Sequence, residues 1–230
     1  MKNIILALFA ISIAQSSFAV ENECQFTSVH SRENVYISVY EGISVGQYDF
    51  LKAEIISKRN NGKYVLELEK NASNQQYATN VALTSIYKTS GCITSLKDKE
   101  LVYSVGDIVY RSTYSANGYK WSKEKIVALS DKKALIGTPN NSELDELENS
   151  TYENIESANI DNLYLSSICS FQTDDGNKLC TGSIAIDLSN GVDIEVLAMN
   201  YHSALVVSQN DSTKNLYTIS ISNLMTLSKE

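Results

Sequence analysis

The stretch SVGDIVYRSTYSANGYKWSKEKIVALSDKKALIG, residues 104–137, decides how the chain is expected to fold. Its apolar residues, many of them β-branched or aromatic, fall into three runs typical of β-strands, at residues 104–110, 121–129 and 134–137. Asn117-Gly118 separates the first run from the second and is typical of a tight hairpin turn. Asp131-Lys132-Lys133 separates the second run from the third. The stretch therefore predicts three antiparallel strands joined by short turns.

The same arrangement recurs on both sides of this stretch. KAEIISKRNNGKYVLEL at 52–68 aligns without gaps with SKEKIVALSDKKALIG at 122–137 over the predicted hairpin. Near the end of the chain the apolar runs lie at residues 192–196, 201–208 and 216–221. Recurrence at a fixed interval indicates repeated structural units. We expect a mostly β protein of three small modules at residues 20–92, 93–169 and 180–230, with a single larger β-sandwich as the alternative.

One segment of the predicted second module has a helical pattern instead. Leu144 and Leu147 recur at helical spacing among acidic residues, and Asn141-Ser142 could cap the start of a helix. We therefore predict a short acidic surface helix at residues 142–154.

The central stretch resembles the Tudor and agenet-like branch of the SH3-like small barrels. Val105-Gly106-Asp107 opens the first strand as in that family, residues 117–121 match its turn, and residues 125–127 stand for the following strand, with Lys125 where a small residue is usual. The resemblance implies tandem small barrels. Family members often hold a methylated lysine or arginine in an aromatic cage. The residues here that could build such a surface are Tyr110, Tyr114, Tyr119 and Trp121.

These four aromatic residues also have a purely structural interpretation. Trp121 and Tyr110 could fill the core of the barrel while Tyr114 and Tyr119 cover its rim. Fold resemblance alone does not establish a function, so both interpretations remain open at this point.

The first nineteen residues have the pattern of a cleavable signal peptide. Lys2 provides a positive charge, residues 4–14 are almost wholly apolar, and Ser17-Phe18-Ala19 supplies the small residues that a signal peptidase reads. We expect cleavage after Ala19, export to the periplasm or the medium, and no membrane insertion of the mature chain. The formal charge of −8 becomes −9 with the loss of Lys2, which argues against binding to nucleic acid.

The mature chain contains all four cysteines, Cys24, Cys92, Cys169 and Cys180. An even number in an exported chain predicts two disulfides, whereas a metal site would require close pairs such as C-x-x-C. Spacing does not determine the pairing, since four cysteines allow three connectivities. Because the cysteines flank the predicted modules, we expect the pairs Cys24–Cys92 and Cys169–Cys180.

The sequence contains no recognisable catalytic motif or cofactor motif. His30 and His202 are its two histidines. We expect a non-catalytic exported adaptor without cofactor or metal, which contacts an extracytoplasmic protein, peptide or glycan through the tyrosine-rich loop at 110–121. The alternatives are a passive structural spacer and a hydrolase of envelope polysaccharide. The acidic residues considered for such a hydrolase are Glu54, Glu67 and Glu69.

Overall fold

The computed structural model describes residues 24, 26, 28–40, 48–69, 76–98, 100–116, 118–139, 152–172, 177–210 and 212–227. These residues form antiparallel strands and three short 3-10 helices, and they contain no α-helix, so the prediction of a mostly β chain is confirmed. The strands are β1 Asn34–Tyr40, β2 Tyr48–Lys58, β3 Tyr64–Leu68, β4 Tyr77–Val81, β5 Ile86–Lys88, β6 Cys92–Thr94, β7 Val102–Ser104, β8 Ile108–Ser115, β9 Gly118–Leu129, β10 Lys133–Pro139, β11 Tyr152–Asn159, β12 Tyr164–Leu165, β13 Cys169–Gln172, β14 Lys178–Cys180, β15 Ile184–Asp187, β16 Val192–Met199, β17 Ser203–Ser208, β18 Leu216–Ser220 and β19 Leu224–Thr226.

One pattern of strand pairing occurs three times. In the first unit, β1–β5, the first strand pairs with the second and the fifth, the second with the third, and the third with the fourth. The second unit, β8–β12, and the third unit, β15–β19, repeat these four pairings. A 3-10 helix links the fourth strand to the fifth in each unit, at Leu83–Ser85, Ile160–Asn162 and Ile221–Asn223.

A β-bulge recurs at the same place in all three units. The register between the second and third strands shifts at Ile56 in the first unit, Val127 in the second and Leu197 in the third. After the bulge, each second strand has two further paired residues before its turn. The three bulges therefore give a residue-by-residue equivalence between the units.

Each unit has its own buried apolar cluster. It is formed by the inward-facing side chains of the strands, because every second residue of a strand points to the same face. In the second unit the hairpin of β6 and β7 adds Ile93 and Tyr103 to this cluster. Tyr103 is fully buried, and its hydroxyl donates a hydrogen bond to the carbonyl of Leu163 at 3.0 Å. Burial raises the pKa of this hydroxyl, so it stays protonated as the donor.

Neighbouring units are joined by an equivalent strand contact. The closing strand of the first unit pairs with the second strand of the next at Lys88 and Leu129. The closing strand of the second unit does the same at Leu165 and Met199. These contacts connect the strands of all three units into one 15-stranded sheet.

A cross-strand tyrosine pair covers each junction. In the first unit Tyr36 lies opposite Tyr87, and in the second unit Tyr110 lies opposite Tyr164. The first pair packs on Val127, Ala128 and Leu135 of the second unit, and the second pair packs on Ala198 and Leu205 of the third. The closing tyrosines also form hydrogen bonds across the junctions, Tyr87 with Ser157 at 3.1 Å and Tyr164 with Ser203 at 2.8 Å.

The structure corrects two expectations about the second unit. The strand expected over 104–110 is interrupted, because Val105 and Gly106 form a turn between β7 and β8 in which Gly106 has a φ of +101°. The Asp107 carboxylate stabilises that turn by accepting a hydrogen bond from the Ser104 amide at 2.7 Å. Of the expected acidic helix at 142–154, residues 142–151 lie outside the described residues, and the last three begin β11 instead.

Both predicted disulfides are confirmed. The Cys24–Cys92 bond ties the segment before β1 to β6, and Cys169–Cys180 joins β13 to β14. Thr94 reinforces the first bond, since its amide and hydroxyl donate to the Cys24 carbonyl at 3.1 and 3.2 Å. Two disulfides suit an oxidising, extracytoplasmic compartment. The expected signal peptide, residues 1–19, lies outside the described residues.

No helix in the described part of the chain has the length and apolar character that crossing a bilayer requires.

Lys125 gives a test of the packing around the interrupted strand. It lies in β9 opposite Ile108, is 9% exposed, and its burial lowers the pKa of its ammonium group. We expect Lys125→Met to raise the free energy of unfolding at pH 7 by about 1 kcal/mol, because a charged group no longer loses its hydration on folding. The gain should shrink as the pH rises above the lowered pKa, since the neutral amine of the folded wild type carries no such cost.

Urea titrations of Lys125→Met at pH 7 and pH 10 would measure both effects. The matched control is Lys123→Met, because Lys123 lies two residues earlier on the same face of the same strand but is exposed. An equal gain in the control, or a loss of stability in Lys125→Met, would contradict the assignment of a buried charge.

Candidate functional site

The four predicted aromatic site residues share one face of the β8–β9 hairpin. Tyr114 lies directly opposite Tyr119, and Trp121 and Tyr110 follow on the same face because residues two apart in a strand point the same way. Residues 110–121, which we expected to form a loop, are therefore mostly strand. The turn is closed by Gly118, which has a φ of +98°, whereas Asn117 lies outside the described residues.

Tyr114 and Tyr119 form an exposed pair at the tip of this hairpin. Their side chains are 79% and 72% exposed, although both are large aromatic groups. Their rings contact each other edge to face, with centroids 5.4 Å apart and an interplanar angle of 68°. Each ring limits the rotation of the other, so the pair is presented to solvent in a defined arrangement.

Tyr110 and Trp121 lie further down the same hairpin, where the third unit covers them. Trp121 packs edge to face on Tyr164, with ring centroids 5.2 Å apart, beside Ala198 and Leu205 of the third unit. Burial, with a smaller contribution from the negative charge of Glu195, raises the pKa of the Tyr110 hydroxyl. The structure therefore divides the four residues into an exposed pair and a junction pair, and it does not enclose a common cage.

The junction pair, Tyr110 and Trp121, also lies elsewhere than in the barrel core that the structural interpretation of the sequence predicts. Tyr110 and Trp121 pack between two units and not in the core of a single barrel. The first unit has the equivalent contact, in which Phe50 packs edge to face on Tyr87 with centroids 5.8 Å apart.

A polar cleft between the second and third units was not predicted from the sequence. Its volume is about 440 Å³. It is bordered by β8, by the end of β11 and the 3-10 helix after it, and by the turn between β16 and β17. Its polar lining includes Arg111, Asn200, Tyr201 and His202. No local sequence signal marks it, because the contributing segments are far apart in the chain.

Arg111 at this cleft is already neutralised by two carboxylates. Its guanidinium contacts Glu124 at 3.1 Å and Glu156 at 2.6 Å. Burial alone would lower the pKa of Arg111, but the hydrogen bond to Glu156 and the negative charges of both carboxylates raise it above its usual value. The guanidinium therefore stabilises the hairpin through its two carboxylate partners and is not available as a free cation for binding an anion.

The turn on the other side of the cleft is held by its own hydrogen bonds. The Asn200 side-chain oxygen accepts from the amides of His202 and Ser203 at 3.1 and 2.9 Å. Lys97 donates to the Tyr201 hydroxyl at 3.3 Å, and its ammonium lies 5.0 Å from the centre of that ring. The Asn200 side-chain oxygen and the Tyr201 hydroxyl at this cleft are therefore already paired within the protein.

The acidic residues considered for glycan cleavage lie in the first unit. Glu54 and Glu67 face each other across β2 and β3, and Glu69 follows the end of β3. The side-chain amide of Gln76 donates to the carboxylate of Glu67 at 3.4 Å. Within the described ranges, no group of three or more histidine, cysteine, aspartate or glutamate side chains is placed to hold a metal ion.

The chain matches no protein-family model and no curated protein.

Proposed function

We propose that this chain is an exported, non-catalytic binding protein made of three tandem SH3-like small barrels, which contacts its partner through Tyr114 and Tyr119. The observation that carries the proposal is the exposure of two mutually packed aromatic rings at the tip of one hairpin. Large aromatic side chains at such exposure are costly to leave in water and are typical of contact surfaces.

The repeated strand order supports the barrel part of the proposal. In each unit the first strand lies between the second and the fifth, and a 3-10 helix reverses the chain before the fifth. This order lets a short sheet curl toward closure, as a small barrel requires. It also favours the modules proposed at residues 20–92, 93–169 and 180–230, each of which contains one complete set of these five strands.

The chemistry of the hairpin tip favours an extracytoplasmic protein as the partner. Tyr114 and Tyr119 project from a hairpin, so they suit insertion into a groove on another surface better than enclosure of a small ligand. Tyrosine combines apolar area with a hydroxyl, so peptides and glycans are the other ligand classes to test. The two disulfides and the signal-like residues 1–19 favour an exported location over a nuclear one, and hence disfavour a methylated chromatin ligand.

The proposal predicts a selective loss of binding when the pair is removed. We expect Tyr114→Ala with Tyr119→Ala to weaken partner binding at least 30-fold, a cost of about 2 kcal/mol, with the melting temperature unchanged. The measurement is capture of surface proteins from the source cell, followed by titration of the purified partner, with peptide and glycan arrays in parallel.

Thr113→Ala with Lys120→Ala is the matched control, because these residues face each other on the opposite side of the same hairpin. Binding that is equal in both variants would remove Tyr114 and Tyr119 from the contact surface. Zymography on envelope polysaccharide tests the alternative function, and reproducible cleavage by the purified chain would replace a binding role with a hydrolase.

A further inference from the structure

Exposed apolar side chains occur at the first and the last of the three units. In the first unit, Ile56 is 40% and Tyr77 is 47% exposed. In the third unit, Leu188 is 53%, Met225 is 38% and Leu227 is 45% exposed. By the repeated strand pairing, these two patches are equivalent to the two sides of the junctions inside the chain.

The patch on the third unit is equivalent to the surfaces that form the junctions inside the chain. Tyr36 opposite Tyr87 covers the first junction, and Tyr110 opposite Tyr164 covers the second. At the same register of the third unit, Ile186 lies opposite Met225. We name the face formed by Ile186, Leu188 and Met225 the tail face.

The patch on the first unit is equivalent to the surfaces that receive those tyrosines. In the second unit the receiving residues include the bulge residue Val127 with Leu135 and Ile155, and in the third unit Leu205 and Leu216. The same register positions in the first unit are Ile56, Val65 and Tyr77. We name this surface the head face.

Residues at these positions are more buried where a neighbouring unit covers them, and the third bulge residue, Leu197, is partly buried. Val127 and Leu135, which have a neighbour, are 8% and 0% exposed, and Leu205 is 0% exposed. Ile56, at the position of Val127, is 40% exposed, because no described unit precedes the first. The head face thus keeps the apolar character of a receiving surface while lying open to solvent.

Charged side chains lie on both faces, and Glu67, opposite Glu54, lies directly opposite Tyr77 on the head face. Lys58 and Arg59 are exposed two and three residues after Ile56, at the edge of the head face. Asp193 is exposed opposite Ile186, on the tail face. The match of each face to one side of an internal junction, rather than its charge, therefore favours a head face meeting a tail face over two identical faces meeting each other.

We propose that the chain self-associates head to tail, with the tail face of one copy on the head face of a second copy, in the manner of the two internal junctions. A dimer formed by such a contact still has one free head face and one free tail face. Further copies can therefore bind at both ends, and short chains of copies form as the concentration rises. The inference depends on the repeated junction and is independent of the proposed role of Tyr114 and Tyr119.

The association is expected to be weaker than the internal junctions. Gly191 stands where Phe50 and Trp121 stand in the other units, and Met225 lacks the hydroxyl that Tyr87 and Tyr164 use across their junctions. We therefore expect monomers at about 1 µM and a growing fraction of dimers and trimers between about 10 and 500 µM.

Sedimentation velocity on the purified, oxidised chain tests the proposal. Ile56→Lys blocks the head face, Met225→Lys blocks the tail face, and Leu96→Lys serves as a control because Leu96 is 64% exposed and belongs to neither face. We expect each blocked variant to stay monomeric at 500 µM and the control to associate like the wild type. Circular dichroism checks folding, and Tyr77→Lys is a second head variant.

An equimolar mixture of the two blocked variants gives the decisive result. The free tail of Ile56→Lys should bind the free head of Met225→Lys, so the mixture should form dimers that do not grow further. A wild type that is monomeric at every concentration would overturn the proposal, because the end faces would then act as caps. Association of either blocked variant alone would also overturn it, because contact between identical faces or elsewhere would then be responsible.

Discussion

Cys24→Ser combined with Cys92→Ser is expected to lower the free energy of unfolding by about 4 kcal/mol. The bond closes a span of 68 residues that contains all of the first unit, and its main effect is to restrict the unfolded chain. It also fixes the Cys24 carbonyl where Thr94 donates two hydrogen bonds. Urea unfolding under non-reducing conditions, followed by circular dichroism, measures the loss.

Cys169→Ser with Cys180→Ser is the comparison for this experiment. That bond spans 11 residues within one hairpin, for which the same chain-entropy relation gives about 3 kcal/mol. Trp121, the single tryptophan, reports on the junction of the second and third units, so its fluorescence separates their unfolding from that of the first. A loss below about 1 kcal/mol in the Cys24 and Cys92 variant would contradict this expectation. It would show that the conformational entropy of the unfolded chain rises little when the bond is removed.

Strands and turns were predictable where the signal is local. In β3, Tyr64, Leu66 and Leu68 alternate with more exposed residues, and this period of two requires only that one face meets a core. The turn before β3 was visible in Asn61-Gly62, since Gly62 adopts a φ of +77° that suits glycine. The disulfide pairing was predictable for a related reason, because the cysteines flank the modules suggested by the repeat.

What covers a strand face was not predictable from the same pattern. Alternation placed Trp121 and Tyr114 on one face of the hairpin, but only the position of the third unit decides that Trp121 is packed against Tyr164 and Tyr114 is exposed. The closing strand of the second unit, Tyr164–Leu165, has two residues, which is too short to show a period. The polar cleft likewise depends on contacts between distant segments.

Arg111→Met is the second change with a large expected effect. Its partner Glu124 lies in β9 with its side chain 5% exposed, so the mutation leaves a buried carboxylate without its counter-charge. Loss of one partner of a buried ion pair costs about 3 kcal/mol or more. The cleft beside Arg111 admits water, and Ser122 still donates to Glu124, so we expect a loss of about 3 kcal/mol in urea unfolding at pH 7.

Glu124→Gln in the Arg111→Met background separates the charge from the packing. The neutral amide can still accept from Ser122, so we expect the double variant to recover at least half of the lost stability. Glu156→Gln is the exposed comparison and should cost less than about 1 kcal/mol, because the side chain of Glu156 is 55% exposed. A double variant as unstable as Arg111→Met would show that the aliphatic and planar packing of the guanidinium stabilises the hairpin, and that the buried charge contributes little.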